Sequence, residues 1–236
     1  MRYRIRSLYP FPMFFTDRRF RLPRIWSNGE LNKLAYLFHG DIVNISAWKD
    51  EDKQGGKYRD YFVNAKTYSI TNYPGVRGYA GRDGEIFLDL EADLPDELKL
   101  KFDLCYNHTT LEHIFDMKTA FASICDMSRD AVILVLPFSQ QQHENESYKD
   151  YWRFTPTAIR ALFMANGFTV VYESQNDHRN AAIYLFVMAS RHPEKWVELL
   201  PKNEFIETAG KLIGHSVIHR IFELIQDKIM RRWFDL

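Results

Sequence analysis

The chain has little cysteine, no net charge and no long apolar run, and each shortage removes a class of function. Its two cysteines, Cys105 and Cys125, fall in segments that read as buried. No Cys-x-x-Cys or Cys/His spacing suits zinc, so no metal site is expected, and a reducing compartment is the simpler setting. The 31 Lys and Arg residues balance 31 Asp and Glu, so no overall field recruits nucleic acid, and no nucleic-acid partner is expected. Nowhere do ~18 apolar residues run uninterrupted, so no transmembrane helix is expected. The start, MRYRIRSLYPFPMFF, is basic and then apolar, but Pro10 and Pro12 break the run and more arginines follow. No signal peptide is therefore expected, and a cytoplasmic location is the expectation. Internal repeats and low-complexity tracts are absent too.

What is present suits a single α/β core. Of the 236 residues 46% are hydrophobic and 26% charged, ordinary values for a globular domain. Short strands are read at 41–47, 66–72, 85–90, 102–106, 131–136, 169–173 and 181–189. The apolar run Ala131 to Leu136 has the pattern of a strand buried on both faces. Helices are expected over 30–39, capped by Ser27 or Asn28 and stopped by Gly40, and over 111–126. A third starts at Thr155-Pro156 and ends before Gly167. Residues 57–62 can open a short helix, and 75–84 hold too many glycines for regular structure. Strands alternating with helices and closing on a hairpin predict a doubly wound, mostly parallel seven-stranded sheet.

Three regions follow. Residues 1–39 form a basic-aromatic extension and first helix, with Arg2, Arg4, Arg6, Arg18, Arg19, Arg21 and Arg24 among aromatic side chains. Residues 40–193 form the sheet domain. Residues 194–236 form a C-terminal helical extension, in which 211–234 is amphipathic. That helix either packs on its own domain or on a homodimer mate, or lies at the inner membrane face as a peripheral contact, for which basic residues beside Trp233 and Phe234 are suited.

Ligands of an open α/β sheet sit outside the carboxyl ends of its strands. Two polar segments reach that edge: Asn107-His108-Thr109-Thr110-Leu111-Glu112-His113 and the loop from His143 to Arg153. His108 or His113 suits a general base near neutral pH. In the loop, His143, Glu144 and Asp150 offer acid/base or hydroxyl-binding groups, and Tyr148, Tyr151 and Trp152 offer flat faces. Arg153 offers a bidentate fork for phosphate or carboxylate. Structural readings stand beside these. Glu112 and His113 suit a helix N-terminus, and Asp150 to Phe154 can form a packed corner with Arg153 bridging Asp150. His178, Arg179 and Asn180 either edge the crevice or form a plain hairpin turn.

The stretches FDLCYNHTTLEHI (102–114) and DYWRFTP (150–156) resemble class I S-adenosylmethionine (SAM) methyltransferases, in particular a methyltransferase type 11 group associated with polysaccharide and cell-envelope genes. The resemblance covers roughly 40–193 and implies a Rossmann-like fold, SAM as cofactor and methyl transfer to a small-molecule or glycan hydroxyl. The family pattern V-L-D-x-G-x-G-x-G falls on Ile42 to Asp50, which places Asn44 in the strand and Ser46, Trp48 and Asp50 at the three glycines. Either the loop is displaced, with Gly55 and Gly56 making the close approach, or SAM binding is lost and the fold serves as a scaffold. The resemblance assigns Asn72 to the ribose hydroxyls and Asp93 to the adenine amino group, with a turn-capping role as the alternative for Asp93. It places Asn107 beside the cofactor and Glu112, Glu144, Tyr151, Trp152 and Arg153 on the acceptor side. No N-P-P-Y-like tetrad of nucleic-acid methylases occurs.

Overall fold

The computed structural model describes residues 13–75, 78–178, 181–202 and 206, the first eight as backbone alone. The basic-aromatic start at 1–12, the amphipathic segment 211–234, and Arg179 with Asn180 lie outside the described residues. Helix α1 (Met13–Leu34) leads into seven strands: β1 (Asp41–Ile45), β2 (Thr67–Asn72), β3 (Glu85–Phe87), β4 (Phe102–His108), β5 (Ser128–Ser139), β6 (Thr169–Gln175) and β7 (Ile183–Ser190). Helix α2 (Met117–Met127) joins β4 to β5, and α3 (Pro156–Ala165) joins β5 to β6. The strands order as β3-β2-β1-β4-β5-β7-β6. Neighbours from β3 to β5 are parallel, and β7 runs antiparallel to both β5 and β6. The order reverses between β1 and β4, which opens the crevice at their carboxyl ends.

Period-two alternation in the central strands supplies both cores. Val132, Leu134 and Leu136 of β5 face α2 and α3 with Phe121, Ile159 and Phe163. Ala131, Ile133 and Val135 face the other way, toward Leu31 and Leu34 of α1, Phe62 and Trp196. Residues 131–136 are fully buried, which is why the strand reads as a continuous apolar run. Leu31, Leu34 and Trp196 therefore belong to the same core as the sheet, though they fall on either side of 40–193.

Local chemistry explains the helix ends. Thr155 Oγ1 accepts from the Ala158 N–H (3.1 Å) with Pro156 at the first position, and Gly167 follows in the left-handed region at φ +76°. The helix expected over 111–126 is split into a 3-10 turn (Leu111–His113) and α2. The Glu112 carbonyl accepts from the Tyr151 and Trp152 N–H groups (2.7 and 3.3 Å), and the Asp116 N–H donates to Glu91 (2.9 Å). The bond that would join the two pieces is thereby taken at both ends.

Helix α1 starts seventeen residues before the expected Glu30, at Met13. Ser27 and Asn28 are not its cap; both are buried and bond across the tertiary structure. Pro23 removes one helical hydrogen bond without ending the helix. Gly40 does not stop the helix, which ends at Leu34 and continues as a 3-10 turn to Leu37; residue 40 is glycine because a Cβ there would lie 1.9 Å from Asp103 Oδ2. Among the described residues the crossovers from β1 to β4 contain 3-10 turns (Tyr58–Tyr61 and Asp96–Leu98) and no α-helix. No helix of the described residues is long and apolar enough to cross a membrane.

Candidate active site

The turn after β1 forms one lip of the crevice. Ser46, Trp48 and Asp50 take φ of +55°, +53° and +62°, a region where each non-glycine residue costs on the order of 1 kcal/mol. All three positions that the family pattern gives to glycine thus keep glycine's backbone. Side-chain hydrogen bonds hold them there. The Ser46 N–H donates to Thr71 Oγ1 (3.2 Å) and the Trp48 N–H to Asn72 Oδ1 (2.6 Å). Asp50 is buried and accepts from Asn44 Nδ2 (2.8 Å), the Tyr68 hydroxyl (2.6 Å) and the Arg59 N–H (3.0 Å). Burial and the neighbouring Asp50 push the Tyr68 phenol well above its ordinary range.

Several expected ligand contacts are corrected by this geometry. Asn72 is buried and donates to the Trp48 carbonyl (3.0 Å) and Glu85 Oε1 (2.6 Å), so it holds the turn and not a ribose. Gly55 and Gly56 make no close approach to the crevice; they close a turn on Asp52 Oδ1, which accepts from the Gln54 and Gly56 N–H groups (2.7 and 2.9 Å). Asp93 is exposed and does not line the crevice.

The crevice has a volume of about 650 Å³, within the range of ligand sites. It brings together Asn44, Ser46, Trp48, His108, His113 and His143 of the expected residues, with Tyr148 on the β5 side. It also takes Arg24 from α1, Tyr58 and Tyr184, none of which any local motif marks. Lys53 and Lys49 lie over the Trp48 ring, 4.4 and 5.1 Å from its centroid.

The histidines differ in what their rings have left to offer. Arg24 Nη1 lies 3.3 Å from His108 Nδ1 and can only donate, so Nδ1 is the acceptor and the proton sits on Nε2. That N–H points to Ser27 Oγ (2.9 Å), whose hydroxyl donates to the Arg24 carbonyl (3.0 Å). Burial, then Arg24, holds His108 well below the usual histidine range. His108 is a neutral, saturated wall residue and not a base. His113 is arranged the other way. Its Nδ1 lies 2.5 Å from the Lys149 carbonyl and must carry the proton, which leaves the lone pair on Nε2, 3.7 Å from Glu112 Oε1. Burial lowers its pKa against the pull of that carbonyl. The His143 and Tyr148 rings stand 5.0 and 4.7 Å away.

Beyond the crevice, the β5–α3 corner is packed. Arg153 donates to both oxygens of Asp150 (2.6 and 2.7 Å) and to the carbonyls of Gln140, Gln141 and Trp152. Burial raises the Asp150 pKa, but Arg153 and the His143 N–H outweigh it and hold the carboxylate at about 2. Neither side chain is available as acid, base or phosphate clamp. Tyr151 and Trp152 are exposed, Tyr151 beside Phe115 (5.3 Å) and Trp152 donating to the Ile114 carbonyl (2.9 Å). Glu144 lies 3.7 Å from Lys149; none of these three lines the crevice. Glu112 is buried, pushed up to about 8 by burial and by Asp150, with Oε2 lacking a partner. Asn107 is buried below the crevice, donating to the Ile45 carbonyl (2.8 Å) while its Oδ1 has none.

The chain is similar in fold to 1,6-didemethyltoxoflavin-N1-methyltransferase of Burkholderia thailandensis, solved with 1,6-didemethyltoxoflavin and S-adenosylhomocysteine bound. That match has 17% identity over 76% of this chain and 84% of the other, with a TM-score of 0.50. It is similar also to magnesium protoporphyrin IX methyltransferase of Synechocystis PCC 6803, solved with SAM bound, at 11% identity over 78% and 86% of the two chains and a TM-score of 0.50. At these identities the likeness establishes the fold. No family model and no curated protein matches the chain.

Proposed function

We propose that the chain is a SAM-dependent methyltransferase acting on a hydroxyl of a carbohydrate or lipid-linked glycan. One observation carries the reading: the β1 turn keeps the left-handed backbone at all three glycine positions, at the lip of a 650 Å³ crevice. A strained turn held by dedicated side chains is preserved where close approach to a ligand requires it. The residues fit the cofactor in volume and backbone shape, with the turn at Ser46 to Trp48 and the segment Tyr73 to Gly75 as its walls. Bound there, SAM supplies an electrophilic methyl group. His113 Nε2 takes the acceptor's hydroxyl proton, and its Nδ1–H on Lys149 fixes the tautomer. The Tyr148 ring beside His113 and His143 offers a flat face to a sugar.

A second reading is supported by Trp48 itself. A side chain at each glycine position and Asn72 turned onto Trp48 suit a binding or scaffold protein that keeps the fold without the cofactor. Calorimetric titration with S-adenosylhomocysteine separates the two. Micromolar binding, unchanged or tighter in Trp48→Gly, together with a ~10²-fold or greater loss of turnover in His113→Ala, is the result expected of the enzyme. No binding up to millimolar in either form would sink it.

A further inference from the structure

Arg24 reaches from α1 into the wall of the crevice. Its guanidinium donates to the Tyr58 hydroxyl (3.2 Å), His108 Nδ1 (3.3 Å) and Thr109 Oγ1 (3.4 Å). All three acceptors are neutral, and they use at most three of the five N–H donors. Among the described residues no carboxylate pairs with it. The acid that bears on it, Glu112, keeps its proton at pH 7 because burial raises it to about 8. At the rim, Glu51 lies 3.3 Å from Lys53, and those charges offset each other. The crevice interior therefore carries one uncompensated positive charge, fixed in place by a histidine held neutral.

Such an arrangement opposes stability, because removing an ion from water without a partner costs several kcal/mol. It persists where a ligand brings the missing anion. A guanidinium is a planar fork that matches oxyanions in geometry as well as charge.

We propose that Arg24 is the anchor for an oxyanion, a carboxylate or phosphate, on the molecule that occupies the crevice. This rests on the crevice being the ligand site, as the proposed function does, but not on that ligand being SAM. The oxyanion has two sources: the amino-acid carboxylate of the cofactor, or an acidic group on the acceptor.

The test compares wild type with Arg24→Gln and Arg24→Lys, using S-adenosylhomocysteine, 5′-methylthioadenosine (the same nucleoside thioether without the amino-acid end) and inorganic phosphate. If the cofactor's carboxylate docks on Arg24, Arg24→Gln weakens S-adenosylhomocysteine roughly 10- to 100-fold and leaves methylthioadenosine unchanged. If the acceptor supplies the anion, S-adenosylhomocysteine binding is unaltered, while phosphate raises the melting temperature of wild type and not of Arg24→Gln. Wild type that binds neither nucleoside, yet loses its phosphate response in Arg24→Gln, keeps the anchor and sinks the proposed methyltransferase. Arg24→Lys, which keeps the charge without the fork, is expected to fall between the two in each series. Ligand-free Arg24→Gln is expected to melt no lower than wild type. Unchanged S-adenosylhomocysteine and phosphate responses in Arg24→Gln, or a wild type that responds to neither, would overturn the anchor.

Discussion

At the amino ends of β1, β4 and β5, Arg129 donates to Asp103 (3.0 and 2.8 Å) and Asp41 (2.8 Å), with all three side chains partly exposed. At the carboxyl ends of the same strands, Arg24 has only neutral partners, His108 is held neutral, and Glu112 Oε2 and Asn107 Oδ1 are buried without partners. One edge pairs its charges where water already screens them. The opposite edge leaves polar groups unsatisfied where burial makes that most costly. The contrast locates the ligand end without reference to any motif, because a fold tolerates such costs chiefly where function requires them.

The largest expected effect comes from neutralising the buried acid. Glu112 has a folded pKa near 8 against 4.5 for an ordinary glutamate. Its folded form binds the proton more tightly than the unfolded chain, so the Glu112 contribution to stability is most favourable below about pH 4.5 and declines as pH rises toward 8. Glu112→Gln keeps the shape and removes the titration. Melting curves of the two proteins are expected to converge near pH 4.5 and to separate by about 10 °C at pH 8, a difference of order 4 kcal/mol. Parallel pH profiles would show that the carboxyl end is not charge-strained at this position. Next comes Asp50→Ala, which strands the buried Asn44 amide and the part-buried Tyr68 hydroxyl and Arg59 N–H at the β1 turn, and is expected to cost about 3 kcal/mol in a denaturant titration. A cost below 1 kcal/mol would mean that the left-handed turn is held by something other than Asp50.

These sites also show how far the chain can be read before folding. Strand positions were legible because β5 is buried on both faces and reads as one apolar run, and α3 carries its own cap and stop. The β1 turn was legible as an alignment of Ser46, Trp48 and Asp50 with glycines, but its outcome was not. Whether a tryptophan at φ +53° is tolerated depends on Asn72, which arrives from β2. Asn72 itself was misread as a ligand contact because an amide looks alike in sequence whether it faces solvent or a backbone. Arg24 and His108 meet across a sequence separation of 84, and no spacing rule connects them. Ser27 and Asn28 read as a helix cap because those residue types serve both caps and buried polar contacts.

The smallest expected effect is at the paired edge. Arg129→Ala removes the shared donor of Asp41 and Asp103 and so breaks every charge pair of that cluster at once. Arg129 lowers the Asp41 pKa, with Thr67 adding to the effect, and the Asp103 carboxylate keeps the Asp41 N–H (2.7 Å) after Arg129 is gone. Because these groups stay in contact with water, the loss is expected to stay below about 1 kcal/mol and to shrink further in high salt. The Asp41 contribution is present above its unfolded pKa and disappears as pH falls through the lower folded value, so wild type and variant should converge in acid. A denaturant titration at low and high salt checks this. A salt-independent loss of 3 kcal/mol would place a buried charge at the amino end as well, and the contrast between the two edges would no longer mark the site.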